Sequence, residues 1–202
     1  MSTREPAEVR EEEILNACQK LYEKKNFRDV TIKDIGAETS FSRPSIYNYF
    51  QTKEEIFLKL FEREYLLWCD DLERIGSEET SAADLPEKIA RSLEKRALML
   101  KLLAVNLYDM EENSRIERLV SFKKAYGKSV ALFDGILAKV FPEKSDTERR
   151  QTLVTAFQFL HGVYPYAHAT PKQVEAMKEA GCRYDRKSIY ELSLAGLTKI
   201  LK

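Results

Sequence analysis

An all-α fold is predicted by three features of this 202-residue chain. Apolar residues recur with a period near 3.6 over most of its length. Gly and Pro are scarce, at 7 and 6, whereas sheet proteins need many tight turns. Helix-start signals, in which Ser, Thr or Asp is followed three residues later by an acid or Gln, recur along the chain. The chain is 44% apolar and long enough to bury a substantial core, which rules out a disordered polyelectrolyte.

Ile14, Leu15, Ala17, Cys18, Leu21 and Tyr22 mark one face of a first helix, and Phe27 and Val30 fall in a short connection. Thr31 with Asp34 resembles a capping box before Ile32 and Ile35. Ser42 precedes Arg43-Pro44-Ser45, where proline is tolerated in a first helical turn. Thr52-Lys53-Glu54-Glu55 is again a capping box by pattern. Starts at residues 31, 42 and 52 leave room for two short helices and then a long one, from Lys53 to about Ile75. Gly76 and the polar run Ser77 to Ser81 end it. Asp84 with Glu87 opens a region expected to reach about Met110 with one break. Asn113-Ser114 is expected to start a helix that reaches Val140 and stops before Pro142. Ser145 with Glu148 opens the next, Thr170-Pro171-Lys172-Gln173 a short one closed by Gly181, and Asp185 the last.

Lys plus Arg and Asp plus Glu both number 33, so the formal net charge is zero. The neutral total is uneven along the chain: residues 1–23 carry net −3, 24–59 net +2, 60–113 net −6 and 114–202 net +7. Thr39 to Lys53 contains Arg43 and Lys53 and no acid. Cys18, Cys69 and Cys182 are far apart, with no CxxC spacing, which argues against a disulfide framework or a structural zinc site. The polar, acid-rich N-terminus is no signal peptide, and the most apolar stretch, Ala97 to Tyr108, is too short to span a bilayer. A soluble, cytoplasmic protein is expected.

Residues 31–53 read TIKDIGAETSFSRPSIYNYFQTK. A short helix, a turn and a second short helix make a helix-turn-helix pattern, whose second helix can enter the major groove. Ile32, Ile35, Phe41, Ile46 and Phe50 are placed to hold the two helices together, leaving Arg43, Ser45, Tyr47, Asn48 and Tyr49 on the outer face. Arg can read guanine and Asn adenine, and the hydroxyls can donate to phosphate. The segment FSRPSIYNYFQTKEEIF strongly resembles the recognition helix and following capping box of TetR-family transcriptional regulators, a likeness that covers roughly residues 11–62.

The resemblance implies a DNA-binding domain over residues 1–52 and a helical ligand-binding and dimerisation domain over 53–202. It implies that Thr31 caps the first motif helix and touches phosphate, and that Ser42 caps the recognition helix. It places Arg43, Pro44 and Ser45 at bases or the adjacent DNA backbone. It assigns Tyr47 and Tyr49 to phosphates, with Asn48 beside them, and has Lys53 pin the next helix to the DNA backbone. The family usually carries glycine in the turn where this chain has Ser40.

The last helix supplies separate signs of a partner. Ile189, Tyr190, Leu192, Leu194, Gly196, Leu197, Ile200 and Leu201 span roughly 200° of an ideal wheel, about twice what one core contact needs. A second apolar contact is therefore expected, and a two-fold homodimer is the commonest kind. The candidate interface comprises Leu153, Phe157 and Leu160 from the helix starting at Asp146, with Tyr190, Leu194, Leu197 and Leu201. Tyr65, Trp68, Cys69, Met99, Leu103, Asn106, Tyr126, His161 and Tyr164 are candidates to line an effector pocket. Pro165 lacks the amide that would bond the His161 carbonyl, so a kink there could border a cavity. His161, His168, Asp109 and Glu112 show no HExxH-like spacing, so no metal site is assigned, and no cofactor or catalytic residue either. The expectation is a ligand-responsive repressor that binds a pseudo-palindromic, double-stranded operator as a homodimer, with no membrane association. The alternative is a DNA-binding protein of the same kind controlled by a protein partner.

Overall fold

The computed structural model describes residues 6–105 and 107–202, and among these there is no strand. The helices are α1 (Pro6–Lys24), α2 (Ile32–Ala37), α3 (Arg43–Ile46), α4 (Lys53–Ser77), α5 (Leu85–Glu94), α6 (Ala97–Leu103), α7 (Leu107–Glu112), α8 (Ile116–Val140), α9 (Asp146–Ala167), α10 (Pro171–Glu179) and α11 (Ile189–Ile200). A 3-10 turn spans Phe27–Asp29. None of these helices is long and apolar enough to cross a membrane.

The start signals act as their chemistry dictates at three of the expected places. Thr31, Ser145 and Thr170 each accept from the amide three residues on, while Asp34, Glu148 and Gln173 reach back to the cap amide. At the other end of α10, Gly181 adopts φ +69°, its amide donates to the Lys178 carbonyl and Cys182 N to the Met177 carbonyl. This left-handed stop is available to glycine without strain.

Four boundaries differ from expectation. The region from residue 85 to 112 breaks twice. At the first break the Arg96 guanidinium is anchored to buried Asp71 (Nε–Oδ2 2.9 Å). Asn113 and Ser114 do not cap α8; Asn113 Nδ2 and Ser114 Oγ donate back to the carbonyls of Asp109 and Met110, ending α7. Glu191 returns to the amide of Ser188, so α11 starts on a capping box there, three residues after Asp185. At α4 the box is half made. Thr52 Oγ1 accepts from Glu55 N (3.2 Å), but the Glu55 carboxylate takes the Gln51 amide (2.8 Å) and Arg115 instead. Burial alone would push the Glu55 carboxyl up; the hydrogen bonds from Arg115 and from the Gln51 and Arg115 amides outweigh it and hold the carboxyl at about 2.

Contacts group the chain into two compact units, residues 1–64 with 105–126, and residues 65–104 with 127–202, so α4 and α8 each contribute to both. In the first unit Tyr22 and Phe27 pack edge-on against Phe57, with centroids 5.0 and 4.7 Å away. Polar ties brace it: Arg63 donates to Glu12, Asn16 and Gln19 of α1. In the second unit the core gathers on Trp68, which meets Phe133 and Phe157 at 6.3 and 5.8 Å. Its indole N–H donates to buried Ser92 Oγ at 3.1 Å. α11 packs most extensively against α5 and also against α9.

Candidate nucleic-acid interface

The helix-turn-helix is assembled around three fully buried side chains, Ile35, Ile46 and Phe50, with Ile32 and Phe41 half-buried beside them. α2 and α3 approach closely at Gly36, where an added Cβ would lie 3.2 Å from Arg43 Cβ. Ser40, in the turn, keeps a negative φ. The Glu13 carboxylate accepts its amide and its hydroxyl, and Thr39 Oγ1 donates to the carbonyl of Gly36 or Phe41. Side-chain bonds therefore hold a turn that needs no left-handed residue. Neither Glu13 nor Gly36 figures in the sequence-derived site. An isolated Gly in a helical pattern hints at close packing, but nothing local connects Glu13 to a turn 27 residues away.

After α3 the chain continues in tighter turns. The amides of Tyr47, Asn48 and Tyr49 bond the carbonyls of Pro44, Ser45 and Ile46, three residues back. This places Ser42, Arg43, Pro44, Tyr47 and Asn48 in solvent, with Ser45 and Tyr49 half-buried. Arg43 Nη2 donates to the Tyr47 hydroxyl at 3.3 Å. Thr31 is exposed at the cap of α2, and its two donors hold Asp34 below the usual carboxylate range. From Ser42 to Tyr49 the face offers two phenols, a guanidinium, an amide and hydroxyls and no carboxylate, a donor set suited to phosphates and base edges.

Two assignments change. Ser42 stands at the N-cap position, but its hydroxyl pairs with Ser45 Oγ (3.1 Å) rather than a backbone amide. The Lys53 ammonium is used within the unit: it donates to the carbonyls of Phe27 (3.0 Å) and Val30 (3.4 Å) and lies 4.4 Å from the Phe27 ring centroid. It thus ties α4 to the preceding connection.

Most of the candidate effector residues are core. Tyr65, Trp68, Cys69, Met99 and Leu103 are buried, and burial pushes the Cys69 thiol up to about 11. His161 is exposed on α9, with Nδ1 3.1 Å from the Leu103 carbonyl oxygen. Half-buried Tyr164 stacks on His168 at 4.2 Å. Tyr126 is exposed and belongs to the first unit, and Asn106 lies outside the described residues. Pro165 sits inside α9, which continues to Ala167. A cavity of about 320 Å³ in the second unit is lined by other residues, among them His168, Arg186, Lys187 and Ile189.

The candidate dimer residues are also redistributed. Leu153, Phe157, Leu160, Leu197 and Leu201 are buried within the single chain, and only Tyr190 and Leu194 are half-exposed. The broad apolar arc of α11 meets α5 and α9 of the same chain, and Tyr190, Leu192, Leu194 and Ile200 stay half-buried. Gly196 shows how close this packing is, since an added Cβ would come 2.3 Å from the Phe159 ring.

The chain matches two family models, "Bacterial regulatory proteins, tetR family" over residues 14–60 and "Tetracyclin repressor-like, C-terminal domain" over residues 62–187. It is 38% identical over 60 residues to the uncharacterized HTH-type transcriptional regulator YfiR of Bacillus subtilis, a match spanning 30% of this chain and 29% of that protein. It resembles the solved fatty acid degradation regulator FadR of Bacillus halodurans (TM-score 0.62, 17% identity, 99% and 97% of the two chains). It also resembles FadR of Bacillus subtilis in complex with stearoyl-CoA (TM-score 0.61, 18% identity, 94% and 96%). At these identities the two structures establish a shared fold.

Proposed function

Since the chain belongs to the TetR family of bacterial regulatory proteins, we propose that it is a repressor that binds a pseudo-palindromic operator as a homodimer and releases it when a small molecule binds the C-terminal portion. The observation that carries the DNA-binding part is the exposed row Arg43, Pro44, Tyr47 and Asn48, seated on buried Ile46 and Phe50 in a stretch free of acids. In this reading residues 1–52 form the DNA-binding portion and 53–202 the regulatory one. Two such rows on a two-fold dimer meet successive major grooves when their centres stand roughly 34–36 Å apart or a small multiple of that. Because much of the apolar α11 surface is covered by its own chain, a partner would meet the outer face of α9, where Gln151, Val154, Thr155 and Gln158 are exposed.

Tyr47→Ala tests the interface. It should abolish binding to genomic fragments that the wild-type chain selects and leave the melting temperature nearly unchanged, because the ring is 45% exposed. Surviving affinity would place the recognition element elsewhere.

The effector must favour a dimer whose spacing no longer fits the operator, which requires different affinities for the two states. Stearoyl-CoA in the Bacillus subtilis neighbour makes long-chain acyl-CoA the first compound to assay. The second reading, control by a docked protein, takes its support from the burial of Tyr65, Trp68, Cys69 and Met99, which are shielded from solvent in the chain itself. Operator release by acyl-CoA in the absence of any other protein would decide for the small molecule.

A further inference from the structure

The carboxyl end of the recognition element is held by residues more than sixty positions away. Arg118 Nη2 donates to the Tyr49 carbonyl at 2.9 Å and to Glu11 at 2.8 Å, and its guanidinium lies 4.8 Å from the Phe50 ring centroid. Arg115 Nη2 reaches the same Tyr49 carbonyl at 3.3 Å. Arg115 also grips Glu55 through Nε (2.7 Å), Nη2 (2.9 Å) and its own amide (3.1 Å). Glu55 in turn accepts the Gln51 amide at 2.8 Å, and Thr52 Oγ1 donates to the Asn113 carbonyl at 2.9 Å. All these groups belong to the first compact unit.

The chemistry suits a clamp. The last carbonyls of a helical segment lack intrahelical partners and carry partial negative charge, so two guanidiniums there are favourably placed. Glu55 is fully buried, and its bidentate bond fixes the Arg115 fork in plane. The backbone so held, from Tyr49 to Gln51, directly follows Tyr47 and Asn48. The short segment after Arg43 otherwise draws its apolar anchoring chiefly from Ile46 and Phe50.

We propose that Arg115 and Arg118 are positioning residues for sequence reading. Acting through the Tyr49 carbonyl, they set the angle at which Tyr47 and Asn48 are presented, and they do so without touching DNA. This rests on the DNA-binding reading above.

The test compares the wild-type chain with Arg118→Gln, Arg115→Gln and Arg118→Lys. The probes are the duplex that wild type selects from a random pool and a scrambled duplex of equal length, each titrated over a salt series. Each Gln variant should lose about tenfold or more on the selected duplex and stay within about twofold on the scrambled one. The salt slope should not change, because no phosphate contact is removed. Arg118→Lys, which keeps a cation at the Tyr49 carbonyl, should retain most of the affinity. Circular dichroism melts keep the comparison to folded chains, and if one Gln variant unfolds the other, whose arginine reaches the same Tyr49 carbonyl, carries it.

Parallel losses on both duplexes, with the salt slope reduced by about one per arginine, would make these residues phosphate contacts and overturn the proposal. Unchanged affinity on both duplexes would overturn it too. A wild-type chain that selects no duplex at all would remove the DNA-binding reading itself, and the clamp with it.

Discussion

The two compact units are held by different physics. The first is laced by directional bonds between residues far apart in sequence: Arg63 to α1, Lys53 to the Phe27 and Val30 carbonyls, Glu13 to Ser40, and Arg115 to Glu55. The second gathers aromatic rings on Trp68 and lays α11 across α5 and α9. A helix-turn-helix this short buries little apolar area, so charged and amide bonds supply the positional precision that burial alone does not. Ring packing in the second unit is non-directional, apart from ties such as Arg96 to Asp71 and the Trp68 indole to Ser92, and volume-conserving changes are tolerated among the apolar side chains.

That contrast can be broken or sharpened by three measurements. The largest effect is expected for Trp68→Ala, which opens a cavity and leaves Ser92 Oγ without its indole donor. Urea denaturation should show a loss of about 3–5 kcal/mol. A loss near 1 kcal/mol would mean that the second unit does not depend on its aromatic centre.

Next comes acid. The Glu55 carboxyl sits at about 2, below its unperturbed value of 4.5. Its contribution is therefore complete above pH 4.5 and is lost as pH falls from there toward 2, on the order of 3 kcal/mol. In a wild-type acid titration followed by circular dichroism, Glu55→Gln should remove part of the loss within that window. An identical curve would show that the buried carboxylate is not the source.

The smallest effect is expected for Ser40→Gly. With a negative φ at residue 40 glycine relieves no strain, and it adds freedom to the unfolded chain. The melt should show destabilisation of about 0.5–1 kcal/mol. A stabilised variant would mean that the turn does want the left-handed residue common in the family.

The same contrast governs how much of the fold and of the interface is legible in the amino-acid sequence. Capping boxes at Thr31, Ser145 and Thr170 and the stop at Gly181 are legible because each is a local bond between residues three to five apart. The helix-turn-helix packing is legible because its residue types and order match a family pattern, and Ile35, Ile46 and Phe50 are buried as that pattern implies. Long-range ties leave no such trace. Nothing near Lys53 indicates that its ammonium is occupied by Phe27 and Val30, and nothing near Ser40 points to Glu13. Asn113 and Ser114 carry the chemistry of a cap, yet bond backward, because residue type does not set the direction of a side-chain bond. On α11 the wide arc lies against α5 and α9 of the same chain, and periodicity alone cannot say which neighbours belong to the chain and which to a partner. The effector candidates are no more legible, since in a sequence a buried aromatic looks alike whether it lines a cavity or fills one.

One feature of the second unit differs from both halves of the contrast. α10 has no buried residue and ends in its own glycine stop, with a capping box at its start. Helices of this length draw most of their stability from tertiary packing, and α10 has little to draw on. The loop-closure entropy of the span between α9 and α11 grows only slowly with its length. Residues 171–184 are therefore a stretch that can be lengthened, shortened or cut with little consequence for the core, a natural seam for inserting a tag or a new segment.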